Sequence, residues 1–375
     1  MRPLHGVRVL DFTTLLPGPL ATLILAEAGA EVIKIERPGM GDEARTYEPR
    51  FGADEETSVN FALLNRGKRS VAIDMKEPGA VERMRPLIES AQVLVEQFRP
   101  GVMDRLGLGY DHVRAINPRL VYCSITGYGQ DGPKSDLAGH DLNYMADTGI
   151  LGLAAGADGA PVVPPVLVAD IGAGSLPAVI NVLLALRNAE ATGKGCKIDI
   201  AMTDSLFAWG FWAMGMVEAT GARPKPGGER VTGGTPRYRV YGTSDGLFMA
   251  AAPLEQRFWD QFCDAIGLAD EYRDDGPDPD ATARAVAAII GAQTADHWRG
   301  VFEGRDVCCN VVRRIDQALA DSHHRGRGLF DAAVVDGAAR LTAVPVPVDP
   351  TFRDTPGDKP YPRLGADNDV LGDGE

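Results

Sequence analysis

Three side chains raise the question of chemistry: His140, Asp170 and Glu255. His140 stands in Gly139-His140-Asp141-Leu142-Asn143-Tyr144, and Asp170 in Val168-Ala169-Asp170-Ile171-Gly172-Ala173-Gly174-Ser175, on either side of a Pro/Gly-rich stretch. An imidazole and a carboxylate brought to one pocket floor lined by small residues suit proton transfer, because both can be tuned toward neutral pH. The same carboxylate can instead act as a nucleophile. Asp170 follows the apolar run Val166–Ala169, which reads as a strand end, and there an Asp is either a helix N-cap or a catalytic group. Small residues after it let a ligand approach the backbone, and the N–H groups of Asp170 to Gly172 could stabilise an oxyanion. Glu255 follows a β-rich run and begins a helix. It is either a first-turn acid favoured by the helix dipole or a carboxylate that orients an imidazole from across a domain boundary. Of the other histidines, His323 and His324 sit in a polar surface run and His112 lies on a short helix with no evident partner.

The elements that must position these groups alternate in type. Val7–Phe12, Glu31–Ile35, Ser70–Asp74, Val93–Glu96, Leu120–Ile125 and Lys197–Ile200 read as strands, with helices over Leu20–Ala28, Pro78–Ser90 and Pro177–Ala189 between them. That alternation predicts an α/β fold with a parallel, Rossmann-like sheet that binds ligands at its carboxyl edge. No G-x-G-x-x-G follows the first strand; Thr13-Thr14-Leu15-Leu16-Pro17-Gly18-Pro19 stands there, which argues against a standard dinucleotide fingerprint. Thr203 or Asp204 caps a further helix to about Ala219. Gly221–Gly234 reads as a linker, and Tyr238–Tyr241 with Leu247–Ala251 as a hairpin around Ser244-Asp245-Gly246. Helices near 255–266 and 281–292 complete a small α+β domain. The expected layout is a large domain over 1–200, a helical linker over 201–233, a small domain over 234–318 and a return segment over 319–375. That last segment packs back on the large domain or wraps a partner subunit.

Composition narrows the partners. The net charge of −14 speaks against a nucleic-acid or anionic-membrane surface, although a local basic patch can still hold a small anion. Three basic runs lie beside strands: Arg37-Pro38-Gly39, Asn65-Arg66-Gly67-Lys68-Arg69 and Phe98-Arg99-Pro100-Gly101. In an acidic chain they suggest a phosphorylated cofactor. The five cysteines form no C-x-x-C pair, so neither a zinc site nor a disulfide framework is indicated. No signal peptide is evident, and the longest apolar stretch, Leu206–Val217, is too short to span a bilayer. A cytoplasmic location is the default expectation.

Taken together, these motifs resemble the family III CoA-transferase (CaiB/BaiF-like) superfamily, which includes the 2-methylacyl-CoA racemases. The resemblance covers nearly the whole chain. It rests on Leu15–Pro19, Ile35–Gly39, Asn65–Ser70, Phe98–Val102, Gly127–Pro133, Ala138–Asp141 and Ala169–Gly172, in that order. It implies a Rossmann-like large domain, a small domain, an interlocked homodimer and a CoA thioester substrate, with no prosthetic group or metal. It further implies that Arg37, Lys68, Arg69 and Arg99 hold the adenine and phosphate groups. Racemases of this kind use a His, an Asp and a supporting Glu, which His140, Asp170 and Glu255 match. Transferases use the matching Asp as a nucleophile through anhydride and thioester intermediates and usually lack the His. Against the racemase reading, the Gly41–Leu64 segment is long, as in transferases. The expectation is racemisation of a 2-methylacyl-CoA, with CoA transfer through Asp170 as the alternative.

Overall fold

The computed structural model describes residues 2–52, 57–156, 158–353 and 355–371. The chain divides into two compact units. One comprises Met1–Thr148, Pro164–Trp209 and Ser322–Glu375; the other comprises Gly149–Val163 and Gly210–Asp321.

The first unit is built on six parallel strands: β1 (Arg8–Phe12), β2 (Glu31–Glu36), β3 (Arg69–Ala72), β4 (Val93–Glu96), β5 (Val121–Thr126) and β6 (Lys197–Ala201). Their order is β3-β2-β1-β4-β5-β6, the order of doubly wound sheets that bind nucleotides where the strand order reverses. Most of these strands are short β-branched runs buried on both faces, as a parallel sheet covered by helices requires. The covering helices include α1 (Pro17–Glu27), α2 (Val59–Asn65), α3 (Ala80–Ser90), α4 (Tyr110–Ile116), α5 (Asp141–Asp147), α6 (Leu176–Thr192) and α7 (Met202–Trp209). Leu10, Ile33, Met84, Ile88 and Leu94 form the centre of one core, each fully or almost fully shielded from solvent.

Two local expectations give way. The run before Asp170 is not a strand: the backbone winds into a π-helix over Val168–Ser175 that continues directly into α6. Val168–Thr192 is therefore one helical stretch, long and apolar enough by length and composition to cross a membrane. In this fold its Ala178, Val182, Ala185 and Ala189 are buried within the unit. The single helix expected to run to about Ala219 is two, Met202–Trp209 and Phe211–Thr220, broken at Gly210, where the glycine lacks helix propensity. The Pro- and Asp-rich return segment carries its own small sheet within the first unit. Ala333–Asp336 pairs antiparallel with Ala339–Thr342 and parallel with Asp358–Pro360.

The second unit holds the expected hairpin. Arg239–Gly242 and Phe248–Ala251 pair antiparallel, and Cys309–Val311 joins on the far side. The helices Gln256–Ile266, Pro279–Gly291 and Ala295–Phe302 pack a core of Trp259, Phe262, Ile290 and Trp298 against it.

Candidate active site

β1 and β4 are neighbours, yet the strand following β1 lies on one side of the pair and the strand following β4 on the other. The loops leaving their carboxyl ends diverge and leave a crevice, the usual ligand position in such sheets. A crevice of about 260 Å³ is found there. Leu15 and Pro17 line it from the loop after β1, Gln97 to Pro100 from the loop after β4, and Thr126 and Gly127 from the end of β5. His140, Tyr144 and Asp170 complete it. His140 and Asp170, thirty residues apart in sequence, thus share one cavity.

The first loop is closed to phosphate. Pro17 and Pro19 carry no N–H, Leu20 donates to the Leu16 carbonyl at 2.9 Å, and Gly18 donates to Gln97 Oε1 at 2.9 Å. Gln97 in turn donates to the Thr14 carbonyl at 2.9 Å. The donors that a Rossmann helix start would offer to a pyrophosphate are absent or consumed.

Asp170 sits in the first turn of the π-helix, with Leu167 rather than Asp170 at the cap position. Its N–H donates to Asp141 Oδ1 at 2.9 Å, and the N–H of Ile171 goes to the Leu167 carbonyl at 3.1 Å. Two of the three donors expected to form an oxyanion site are therefore spent. The glycines that follow serve packing. A Cβ on Gly172 would lie 2.8 Å from Trp209, and one on Gly174 would lie 3.0 Å from Met202 Sδ, so these small residues admit α7 against the π-helix. π-Helical turns are rare and recur at functional sites.

Burial pushes the Asp170 carboxyl up to about 6, the Asp141 charge adds to this, and the His140 charge opposes it. Asp141 is buried and was visible in the Gly-His-Asp motif, but its spacing alone does not disclose that it reaches across 29 residues to the backbone of Asp170. Tyr144 is also buried, donates to the Gly139 carbonyl at 2.5 Å and meets Tyr128 edge-on. Glycine is required at 127 and 139, where a Cβ would collide with the Tyr144 ring at 2.3 and 2.6 Å. His140 precedes α5 and is exposed to the crevice; its N–H donates to Asn143 Oδ1 at 3.1 Å. The N–H groups of Asn143 and Tyr144 both reach the His140 carbonyl.

The four cations expected around a phosphorylated ligand do not form one patch. Arg99 lines the crevice and is exposed, with no ion-pair partner among the described residues. Arg37 follows β2 on the same sheet edge and is exposed. Arg69 reaches back to Glu31, the first residue of β2, at 3.0 Å and to Asp367 at 2.9 Å, which directs it toward the amino edge. Lys68 is buried, and its Nζ lies within 3.0 Å of Asp11 Oδ2, the Pro19 carbonyl, Thr22 Oγ1 and Asn65 Oδ1. An ammonium has three donors, so none remains for a phosphate, and a ligand contact at Lys68 has no support in this geometry. Glu255 belongs to the second unit, where it is the exposed cap residue of Gln256–Ile266 without a side-chain capping bond. No group of three or more His, Cys, Asp or Glu side chains among the described residues is arranged to hold a metal ion.

The sequence model of CoA-transferase family III matches residues 4–368. The chain belongs to this family. Alpha-methylacyl-CoA racemase of Homo sapiens is 33% identical over 338 residues, covering 87% of this chain and 82% of that protein. Acetyl-CoA:oxalate CoA-transferase of Acetobacter aceti is 32% identical over 373 residues, covering 97% and 92%. Among solved structures, a CaiB/BaiF family protein from Brucella suis superposes with a TM-score of 0.82 at 28% identity, covering 98% of each chain. The family III protein is thus an acyl-CoA enzyme, with racemases and transferases related to it at similar identity.

Proposed function

We propose that this family III protein racemises a 2-methylacyl-CoA by removing and returning the α-proton. The observation that carries this reading is a second acid–base side chain, His140, in the same crevice as a carboxylate held near neutral pH. In the proposed reaction the α-carbon lies between the two. One removes the proton, a thioester enolate forms, and the other delivers a proton to the opposite face, with the roles exchanged for the other enantiomer. A carboxylate that titrates near the working pH is the better base for such a step. Because the Asp170 and Ile171 donors are spent, these backbone groups are not assigned to the enolate oxygen.

Arg99 and Arg37, both on the carboxyl edge, are the proposed contacts for the CoA phosphates. Glu255 enters on the resemblance alone, as a carboxylate supporting the imidazole. The homodimer is proposed on the same basis. It is supported in the first unit by Ile180, Leu183, Leu184, Phe207 and Trp209, which expose 43–63% of their surface, more than isolated apolar residues require. A cytoplasmic location is proposed as the default for a chain of this composition.

Proton NMR of 2-methylbutanoyl-CoA and a longer homologue, incubated with the protein in D₂O without any acceptor acid, tests the reaction. Loss of the α-proton signal in wild type and its retention from one enantiomer in His140→Ala is expected. Retention of the α-proton in wild type across both chain lengths would turn the assignment to CoA transfer through Asp170, the reading favoured by the length of the Gly41–Leu64 segment. In that reaction Asp170 attacks the acyl carbonyl and CoA leaves as the thiolate. His140→Ala then matters little and Asp170→Ala abolishes turnover.

A further inference from the structure

Leu15 holds a backbone conformation that a leucine rarely adopts. Its φ is +63°, one of two positive values among the described non-glycine residues. Such a backbone is strained for a non-glycine residue and persists only where the surroundings over-determine it. They do so here. The Leu15 N–H donates to Asp42 Oδ1 at 3.1 Å, and the same oxygen accepts from Ala44 N at 2.9 Å. Asp42 is buried, and its Oδ2 pairs with the fully buried Lys34 ammonium at 2.9 Å. Lys34 also donates to the Thr13 carbonyl at 2.7 Å, while Gln97 holds the Thr14 carbonyl. The Thr14–Leu15 peptide is thereby held at both its carbonyl and its N–H, and the peptide before it at the Thr13 carbonyl.

The side chain of Leu15 has two neighbours. It lines the crevice with His140 and Asp170. It also packs against a small core of Ala44, Phe61, Ala62, Val334, Ala343 and Tyr361, drawn from the Gly41–Leu64 segment and the C-terminal sheet. Asp42 and three residues of that core come from the Gly41–Leu64 segment, and they act on the crevice through Leu15.

We infer that Leu15 is a specificity-determining wall of the acyl subsite, and that the Gly41–Leu64 segment sets its position through Asp42. This rests on the proposed acyl-CoA function of the crevice but not on which reaction occurs there. A flexible apolar side chain would yield to a longer acyl group. A leucine pinned at its preceding peptide and backed by a packed core does not, so it limits the length or branching of the group that fits.

The test uses the full-length protein and S-alkyl-CoA thioethers, from ethyl to octyl, which carry the CoA moiety but have no reactive carbonyl. Dissociation constants are measured by calorimetry for wild type and for Leu15→Gly. Glycine accepts the left-handed backbone without penalty and removes the wall. Leu15→Asn, which also tolerates this conformation, is the second variant should the glycine protein fold poorly. Affinity in wild type is expected to stop rising at a definite chain length. In the variants the rise continues past it, by about tenfold per step that the wall had excluded. An unchanged length profile in both variants overturns the inference while leaving the acyl-CoA reading intact. Absence of binding by every thioether to wild type overturns the acyl-CoA reading and the inference with it.

Discussion

Replacing Asp141 by Asn separates the two causes that raise Asp170. Wild-type Asp170 stands at about 6 against an ordinary 3.8, a difference of about 2 units, or roughly 3 kcal/mol of preference for the neutral form. Burial is the larger cause and the Asp141 charge the second, with His140 opposing both. Asp141→Asn keeps an oxygen acceptor for the Asp170 N–H and leaves burial in place while deleting the charge. The Asp170 carboxyl should therefore fall by on the order of one unit and no further. For stability the sign is fixed by the raised folded value. The contribution of Asp170 is fully present below its unfolded value and is lost as pH rises through about 6. The variant should lose less across that window.

Carbon-13 NMR of Asp carboxyls, assigned by the resonance that disappears in Asp170→Asn, reads the titration directly and needs no substrate. The pH profile of α-proton exchange reads its consequence. The acid limb set by Asp170 moves from about 6 toward lower pH, and the plateau rate falls because a weaker base removes the proton. An Asp170 resonance that titrates identically in the Asp141→Asn protein would refute the like-charge argument. Burial would then be its sole cause.

Two further predictions come from other buried charges. Lys68→Met removes one partner of a fully buried pair with Asp11. It should cost about 3–5 kcal/mol in urea unfolding, whereas Arg99→Ala should leave stability within about 0.5 kcal/mol and weaken CoA affinity; the reverse pattern would return Lys68 to the ligand. Glu96, buried at the end of β4, is pushed up to about 7 from 4.5 by burial and, less, by the Asp199 charge, against the hydrogen bond from the Phe98 N–H and the Lys197 charge. Its contribution is full below about 4.5 and is lost as pH rises through about 7. Glu96→Gln should therefore gain up to about 3 kcal/mol over wild type in denaturation at pH 8 and show little gain at pH 4.

The sheet was legible because its strands are short apolar β-branched runs separated by helices, and that pattern is set locally. The shared crevice of His140 and Asp170 was suggested by their residue types and supported by motif resemblance, since no spacing rule brings residues thirty apart to one cavity. What escaped was conformational. The Val166–Ala169 run satisfies strand composition, but an i→i+5 helix leaves no periodic signature over eight residues. The glycines after Asp170 look like an approach path for a ligand, whereas Trp209 and Met202 occupy that space. Lys68 reads as a surface cation in a basic run. Its burial depends on Asp11, which lies 57 residues away and whose charge no local pattern connects to it.

That buried pair also explains how a sheet with nucleotide-binding topology can dispense with the glycine-rich turn. In a dinucleotide fold the loop after β1 is held open and its free N–H groups meet the phosphate. Here the same loop is held by protein charges. Asp11 accepts from Thr13 at 2.9 Å and from Thr22 at 2.6 Å and pairs with Lys68. Burial would raise its carboxyl, but the Lys68 and Lys34 charges and these hydrogen bonds outweigh that and hold it well below the usual range. Lys34 takes the Thr13 carbonyl and passes the tie to Asp42, which holds Leu15. The loop's polar groups are satisfied from within, so what it presents to the crevice is Leu15 and Pro17, an apolar wall. Charge recognition then has to come from elsewhere on the carboxyl edge, and Arg99, exposed and unpaired among the described residues, occupies the loop after β4 on the other side of the same switch point. A ligand with an apolar end and an anionic end meets both requirements. A free dinucleotide, whose pyrophosphate would face the Pro-Gly-Pro turn, lacks the apolar end that Leu15 and Pro17 call for.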